Sequence, residues 1–461
     1  MRLSSPFLRP QFPHPLSLWF IVVTVLLLIF PSRAPGQQGT GDGPNLGEDR
    51  ITQEQITNGT LSFNEILNFG LKIFSTPFNK YDGYGDDRPT LQDNTTFLRV
   101  NGLDAQSCLE CHSIVSSATI PATFGVGGVG GSNSNVIFRP TKIKLKDGDM
   151  NGRFINPPFL FGSGAVELIA KEMTIRLQEL KAQGFASPGE KVALVAKGVS
   201  FGTIIVDERG NLDTSNIEGI DQDLVVRPFG RKGEFATVRA FDRGAMQFHF
   251  GMQPVEVVGE GEDPDGDGVT DEVLIGELSA LHIFGTTLPK PEMVALSEDL
   301  SRGFIVFDQI GCSDCHKPFL YTNTKVLTYS YPEIEEDPTA NTFRRVDLTK
   351  AANFRPNEDG GIEVPLFADL KRHNMGSGLA ESFEEVVPRT EFTTARLWGV
   401  ADTAPYLHDG RALTIKEAIL MHGGEAETSR NAFDALEDDE MQAVLSLLYS
   451  LRTPTKTIQA R

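Results

Sequence analysis

Gly311-Cys312-Ser313-Asp314-Cys315-His316 decides how the rest of this chain is read. Two thiols three positions apart can form thioether bonds to the two vinyl groups of a haem. The histidine that follows falls where it can bind the iron. The same word recurs as Cys108-Leu109-Glu110-Cys111-His112. The chain of 461 residues has 4 cysteines, and these two motifs use them all. One four-cysteine zinc site would leave the adjacent histidine of both copies unexplained. A thioredoxin-like pair needs a βαβ context that neither motif has, and a disulfide across so short a loop is strained. The spacing therefore implies two covalently bound c-type haems, with His112 and His316 as proximal iron ligands.

Outward from each motif the pattern repeats. Leu300, Phe304, Ile305 and Phe307 form a helical stripe just before Gly311, and Leu61, Ile66, Leu67, Leu71, Ile73 and Phe74 form another that ends at Pro77. A helix beside the haem edge, followed by the paired thiols and histidine, is how small c-type cytochrome domains begin. The fold expected is mainly α, with two class I cytochrome c-like domains at 61–290 and 291–461. The stripe Leu436, Met441, Val444, Leu445, Leu448 and Leu451 predicts a closing helix for the second. The N-terminal half carries a loop-rich, partly β insert. A helix is predicted from Ala165 to about Gln183, and short apolar–polar alternations follow over 192–242. Gly125-Val126-Gly127-Gly128-Val129-Gly130 spells a dinucleotide fingerprint, but no strand precedes it and no helix follows, so it is rejected.

The chain reads as exported. Arg2 and Arg9 precede an apolar run from Leu16 to Phe30, and small residues follow at Ala34-Pro35-Gly36, so 1–36 is read as a signal peptide and 37–60 as a linker or arm. The run is short for a spanning helix. It is either cleaved or kept as an N-terminal anchor, and cleavage would leave no membrane span. Both place the body in the periplasm or otherwise outside the cytoplasm. A formal charge of −20 argues against nucleic acid as a partner. It suits a cationic redox donor, although acidic surfaces also serve solubility.

Asp263-Pro264-Asp265-Gly266-Asp267-Gly268-Val269-Thr270-Asp271 follows the order of a calcium loop, with carboxylates at positions one, three, five and nine and glycine at six. Position twelve is Leu274, so the bidentate glutamate is missing. The stretch is a calcium site or a solvated acidic turn.

The segment Leu397-Trp398-Gly399-Val400-Ala401-Asp402-Thr403-Ala404-Pro405-Tyr406-Leu407-His408-Asp409-Gly410, with Leu413 to Ala418 and His422-Gly423-Gly424-Glu425, resembles the C-terminal signature of the bacterial di-haem cytochrome c peroxidases. It is most similar to their relatives, the di-haem oxidoreductases. In those peroxidases the sixth ligand of the C-terminal haem is a methionine fourteen residues after the histidine of the Pro-Tyr-Phe-His-Asp-Gly motif. The same interval from His408 lands on His422. The resemblance thus implies His316 and His422 as axial ligands, with Met375 as the rival to His422. Imidazole in place of thioether lowers the haem potential. By the same resemblance His408 hydrogen-bonds a propionate or braces its loop, and Trp398 lies between the haems, carrying electrons or only packing.

For the N-terminal haem no histidine follows His112 before His249. His249 and Met252 are candidates for the open side of that iron. Glu167 is the candidate for moving a proton between the oxygens of bound peroxide, because Pro158-Phe159-Leu160-Phe161-Gly162 weakly echoes Ala395-Arg396-Leu397-Trp398-Gly399. The function expected is a peroxidase-like oxidoreductase. It would take electrons from a small redox protein or other donor at the C-terminal haem, and use them on peroxide or another small oxidant at the N-terminal haem. The alternatives are a two-haem electron carrier without enzymatic activity, and an oxidase of a protein or organic substrate.

Overall fold

The computed structural model describes residues 43–85, 96–97, 105–110, 112, 133–138, 152–295, 297–381 and 387–454. The leader, the glycine-rich stretch at 125–130 and Cys111 lie outside them. Helices dominate, with short antiparallel pairs and two three-stranded sheets between them. Among the described residues no helix is long and apolar enough to cross a membrane.

The stripe before the first motif becomes the helix Phe63–Ser75. Ser62 caps it by accepting from the Glu65 amide while the Glu65 carboxylate takes the Ser62 amide, a reciprocal arrangement that satisfies two orphan donors. Its buried face, Ile66, Ile73 and Phe74, packs on the helix Ile275–Thr286. The two cross so closely at Gly70 that a Cβ there would run into the Ala280 carbonyl. The second motif repeats this scheme. The helix Glu298–Gln309, capped by Ser297, packs on Asp438–Tyr449, and a Cβ at Gly303 would run into the Ala443 carbonyl. Each motif is thus preceded by a helix pinned, backbone to backbone, under a later one.

The helix predicted from Ala165 runs from Ser163 to Ala186, entered through a left-handed Gly162. Beside it lies the insert's sheet, Lys191–Ala196, Val199–Val206 and Leu212–Ile217, all antiparallel. Its first strand alternates exposed and buried residues strictly, which lays Val192, Leu194 and Ala196 on the long helix.

Two hydrophobic cores form. The larger takes the N-terminal helices, the insert sheet, the hairpin Val326–Ser330 and Thr342–Asp347, and Trp398. The smaller gathers Val306, Phe307, Phe367, Ile415, Phe433, Val444, Leu447, Leu448 and Leu451. Two short segments straddle the seam. Leu366 and Ala368 belong to one core and Phe367 to the other; Trp398 belongs to one while Leu397 and Val400 pack on the other.

Candidate functional site

Both thiol–histidine motifs fold into the same local shape. Cys312–Asp314 and Cys108–Glu110 are single 3₁₀ turns, and each is closed by the histidine amide donating to the first cysteine's carbonyl, 2.9 Å at His316 and 2.8 Å at His112. Among the described residues Cys312 and Cys315 form no disulfide. The cysteines of the two motifs do not converge on one metal-sized site among the described residues; Cys315 lies instead with Asp369 and His373, their ligand atoms within 4.8 Å of one another. Burial, with Cys315 and Asp314 nearby, pushes the Cys312 thiol up to about 12.

The His316 Nδ1–H donates to the Phe367 carbonyl at 3.0 Å, so the proton sits on Nδ1 and Nε2 keeps its lone pair. Opposite it lies His422, just past the helix Ile415–Leu420, whose own Nδ1–H donates to the Ala418 carbonyl at 2.8 Å. The two ring centroids are 6.4 Å apart. Two imidazoles on opposite sides of one metal, each at a bond length of about 2 Å, need about this separation. Burial holds His316 down at about 4, with His422 adding to the effect, and lowers His422 as well. Both therefore offer neutral nitrogen. Met375 stands to one side, half-buried, with its carbonyl 3.0 Å from where a Cβ on Gly423 would lie.

His112 is held the same way. It donates to the Pro158 carbonyl, and burial pushes it down to about 4; its ring lies 6.5 Å from Phe74. The loop carrying Pro158 is stitched to the C-terminal signature. The Asn156 amide donates to the His408 carbonyl at 2.8 Å, and its side chain donates to Pro405 and Leu407 at 2.7 and 3.0 Å. Gly162 and Gly399, both left-handed, make reciprocal close approaches: a Cβ would come within 2.7 Å of Trp398 in one case and of Phe159 in the other. The echo between the two loops is therefore a structural one, in which each glycine makes room for the other loop's aromatic ring.

Two polar groups at this junction bear on whether a haem fits. The Trp398 indole N–H is buried without a hydrogen-bond partner among the described residues. The Arg396 guanidinium donates to the Pro228 and Phe159 carbonyls at 3.2 and 3.4 Å, and burial lowers its pKa to about 10. Among the described residues Arg396 forms no ion pair. A donor and a cation left over beside an aromatic seam suit the carboxylate edge of a porphyrin. The residues present fit the group. The sequence marks Arg396 only as a charged residue among the apolar ones of its run.

His408 stacks on Phe392, centroids 4.5 Å apart, and burial holds it down at about 4. Glu167 is fully buried and engaged on every side. It accepts from the Val238 amide at 2.9 Å, meets His282 Nε2 at 2.9 Å and pairs with Lys171 at 2.7 Å. Burial alone would raise its pKa, but His282 and Lys171 win and hold it at about 2. His249 lies on a π-type turn, Met246–Phe250, a distortion frequent at functional sites. That turn packs on the approach to the first motif: the Phe250 ring lies 5.6 Å from Phe78 and 6.3 Å from Tyr84, and its carbonyl accepts from Gly85. Met252 is fully buried.

In the acidic loop the carboxylates of Asp263, Asp265 and Asp267 lie within 4.8 Å of one another. Asp271 turns instead to the Gly261 amide, 2.8 Å. The nearby acid is Glu272, which burial and then the charges of Asp265, Asp267 and Asp263 push up to about 9. Glu277 is committed to Arg50 at 2.6 Å and the Leu274 amide at 2.8 Å.

Residues 255–451 match the family described as "Di-haem oxidoreductase, putative peroxidase". The chain is similar to the cytochrome-c peroxidase IdrP2 of Pseudomonas sp. (strain SCT), 26% identical over 164 residues, which are 35% of this chain and 42% of that protein. The match thus spans less than half the length of that relative. Among solved structures, the hydrazine synthase of Kuenenia stuttgartiensis is 17% identical, covering 61% of this chain and 92% of that one at a TM-score of 0.27. A MauG-like protein associated with microbial copper homeostasis is 14% identical, covering 64% and 90% at a TM-score of 0.28. The thiol–histidine motif occurs twice in the chain, and residues 255–451, which carry the second copy and the C-terminal signature, are similar to the di-haem oxidoreductases.

Proposed function

We propose that this is an exported, periplasmic oxidoreductase that accepts electrons from a small redox protein at its C-terminal motif and uses them to reduce peroxide at its N-terminal one. The observation that supports it most is the pair His316 and His422, with ring centroids 6.4 Å apart and both Nδ1–H groups committed to carbonyls. Such a pair suits a six-coordinate electron-transfer centre. The similarity to a cytochrome-c peroxidase agrees with peroxide as the oxidant.

Cys312 and Cys315, and likewise Cys108 and Cys111, would tether the porphyrins, with His316 and His422 on the second iron and His112 on the first. Bound there, the haems supply one-electron redox chemistry and, where an iron has an open side, a place for peroxide. The protein's own part is orientation. Phe367 and Pro158 fix the tautomer of the two proximal imidazoles, as backbone acceptors commonly do for metal-bound histidine. Trp398 and Arg396 would offer donors to the carboxylates of a bound haem. Glu167, tied to His282 and Lys171, acts as a fixed negative charge rather than a proton carrier. That leaves His249, on its turn beside the first motif, as the proposed polar group for the peroxide side. For the acidic loop we propose calcium, supported by the three converging carboxylates, with Glu272 rather than Asp271 as the fourth.

The test is an optical and EPR titration of the haem-loaded chain with peroxide. One high-spin and one low-spin ferric haem, the former reacting with peroxide, is the expected result. Two low-spin haems inert to peroxide and to small ligands would make the chain an electron carrier.

A further inference from the structure

The way His422 is held points to a device that the ligand assignment does not explain. His422-Gly423-Gly424-Glu425 is seated backbone to backbone on Asn374-Met375-Gly376. A Cβ on Gly424 would run into the Asn374 carbonyl, one on Gly376 would come within 2.8 Å of the Gly424 nitrogen, and one on Gly423 within 3.0 Å of the Met375 carbonyl. Glu425 closes the contact with both oxygens: Oε1 accepts the Asn374 amide at 2.8 Å and Oε2 meets His373 Nδ1 at 2.8 Å. The other face of the His373 ring meets Asp369 Oδ2 at 2.9 Å. Asp369 is buried and is anchored in turn by the Lys371 amide at 3.0 Å and the Thr394 hydroxyl at 2.7 Å. It sits two residues after Phe367, whose carbonyl orients His316.

We propose that Asp369, His373 and Glu425 form a clamp that sets His422 against His316, so that both axial imidazoles are referenced to one frame. The inference rests on the ligation proposed above. The path is continuous: His316 to the Phe367 carbonyl, two residues to Asp369, across His373 to Glu425, and back three residues to His422. Glu425 is solvent-accessible, so as a simple ion pair it would contribute little. Its value lies in binding two points of one strand, Arg372–Asn374, and so fixing the position of a loop that has no side-chain bulk at Gly423 and Gly424. His373 and Glu425 are positioning residues, because they act through His422. When the clamp opens, the expected replacement ligand is Met375, whose backbone lies on the same contact.

The experiment uses the full haem-loaded chain and reads the second haem by low-temperature EPR and redox titration. The wild type is expected to show a low-spin bis-imidazole signal. In Glu425→Ala that signal should fall by at least half, and the midpoint potential should rise as thioether replaces imidazole. Adding Met375→Ala should turn the lost fraction high-spin. Glu425→Gln, whose amide oxygen still accepts the Asn374 amide, should recover most of the wild-type signal. His373→Gln removes the link between Asp369 and Glu425, together with the 3.9 Å contact of His373 Nδ1 with Cys315 Sγ, and serves if Glu425→Ala fails to fold with haem; it should lose signal in the same direction. A bis-imidazole signal and potential unchanged in folded Glu425→Ala or His373→Gln would overturn the clamp alone. A wild type without that signal would overturn the ligation and the clamp together.

Discussion

At the scale of single residues, two histidines share an environment and a third does not. His112 and His316 are each stripped of water and given one carbonyl, which keeps them neutral and directional. His282 instead faces a carboxylate, and with Lys171 it holds Glu167 ionised. Glu167→Leu leaves Lys171 buried without its counter-charge and His282 without its hydrogen-bond partner, so stability should fall by about 3–5 kcal/mol, read by urea unfolding. The pH dependence follows from the lowered pKa. The stabilisation is fully present above the unfolded-state value of 4.5 and is lost as pH falls through about 2. The wild type should therefore lose stability in that window, and the variant should lose less. A variant with the wild-type unfolding midpoint and acid profile would show that the cluster carries no net energy. Peroxide turnover that survives Glu167→Gln but not His249→Ala would agree with the division of roles proposed above, and the reverse would transfer the proton role to Glu167.

At the scale of elements, what the sequence disclosed was local. The thiol–histidine turns, their preceding helices and the closing helix are written in spacing and periodicity, and the structure forms all of them among the described residues. His422 was reached by counting along a resembled motif. The carbonyls of Pro158 and Phe367 were not reached, because a backbone acceptor leaves no mark in residue type. The companions of Glu167 were equally hidden, since His282 comes from a helix more than a hundred positions later. The acidic loop was readable to its third carboxylate, whereas Asp271 turns to the Gly261 amide and the neighbouring Glu272 is buried. Two predictions belong here. Gly303→Ala drives a methyl group into the Ala443 carbonyl, where the helices cannot part without opening the smaller core; it should cost about 1–3 kcal/mol or more, measured by chemical denaturation. Calcium should raise the melting temperature and chelator should lower it, with Asp265→Asn abolishing the difference. A melting temperature indifferent to calcium would leave the loop a solvated turn.

At the scale of the whole molecule, the two motifs share one frame. The loop that orients His112 is bonded to the stretch bearing His408, and Phe367 and Trp398 sit on the seam between the cores. The net charge of −20 makes a further statement about encounter. Reduction by a cationic donor should slow as ionic strength rises from about 10 to 200 mM, because the screening length shrinks from about 30 to under 10 Å. A rate insensitive to salt would point to a neutral or acidic donor. The closed five-residue turns, finally, bear on the order of assembly. Each is completed by its own main chain, the histidine amide bonding the first cysteine's carbonyl, so it can be recognised while the remainder is still unstructured. The acceptors that aim those imidazoles come roughly fifty positions further along. Tethering of porphyrin can thus precede folding, whereas the final set of the proximal bond must wait until the downstream chain arrives.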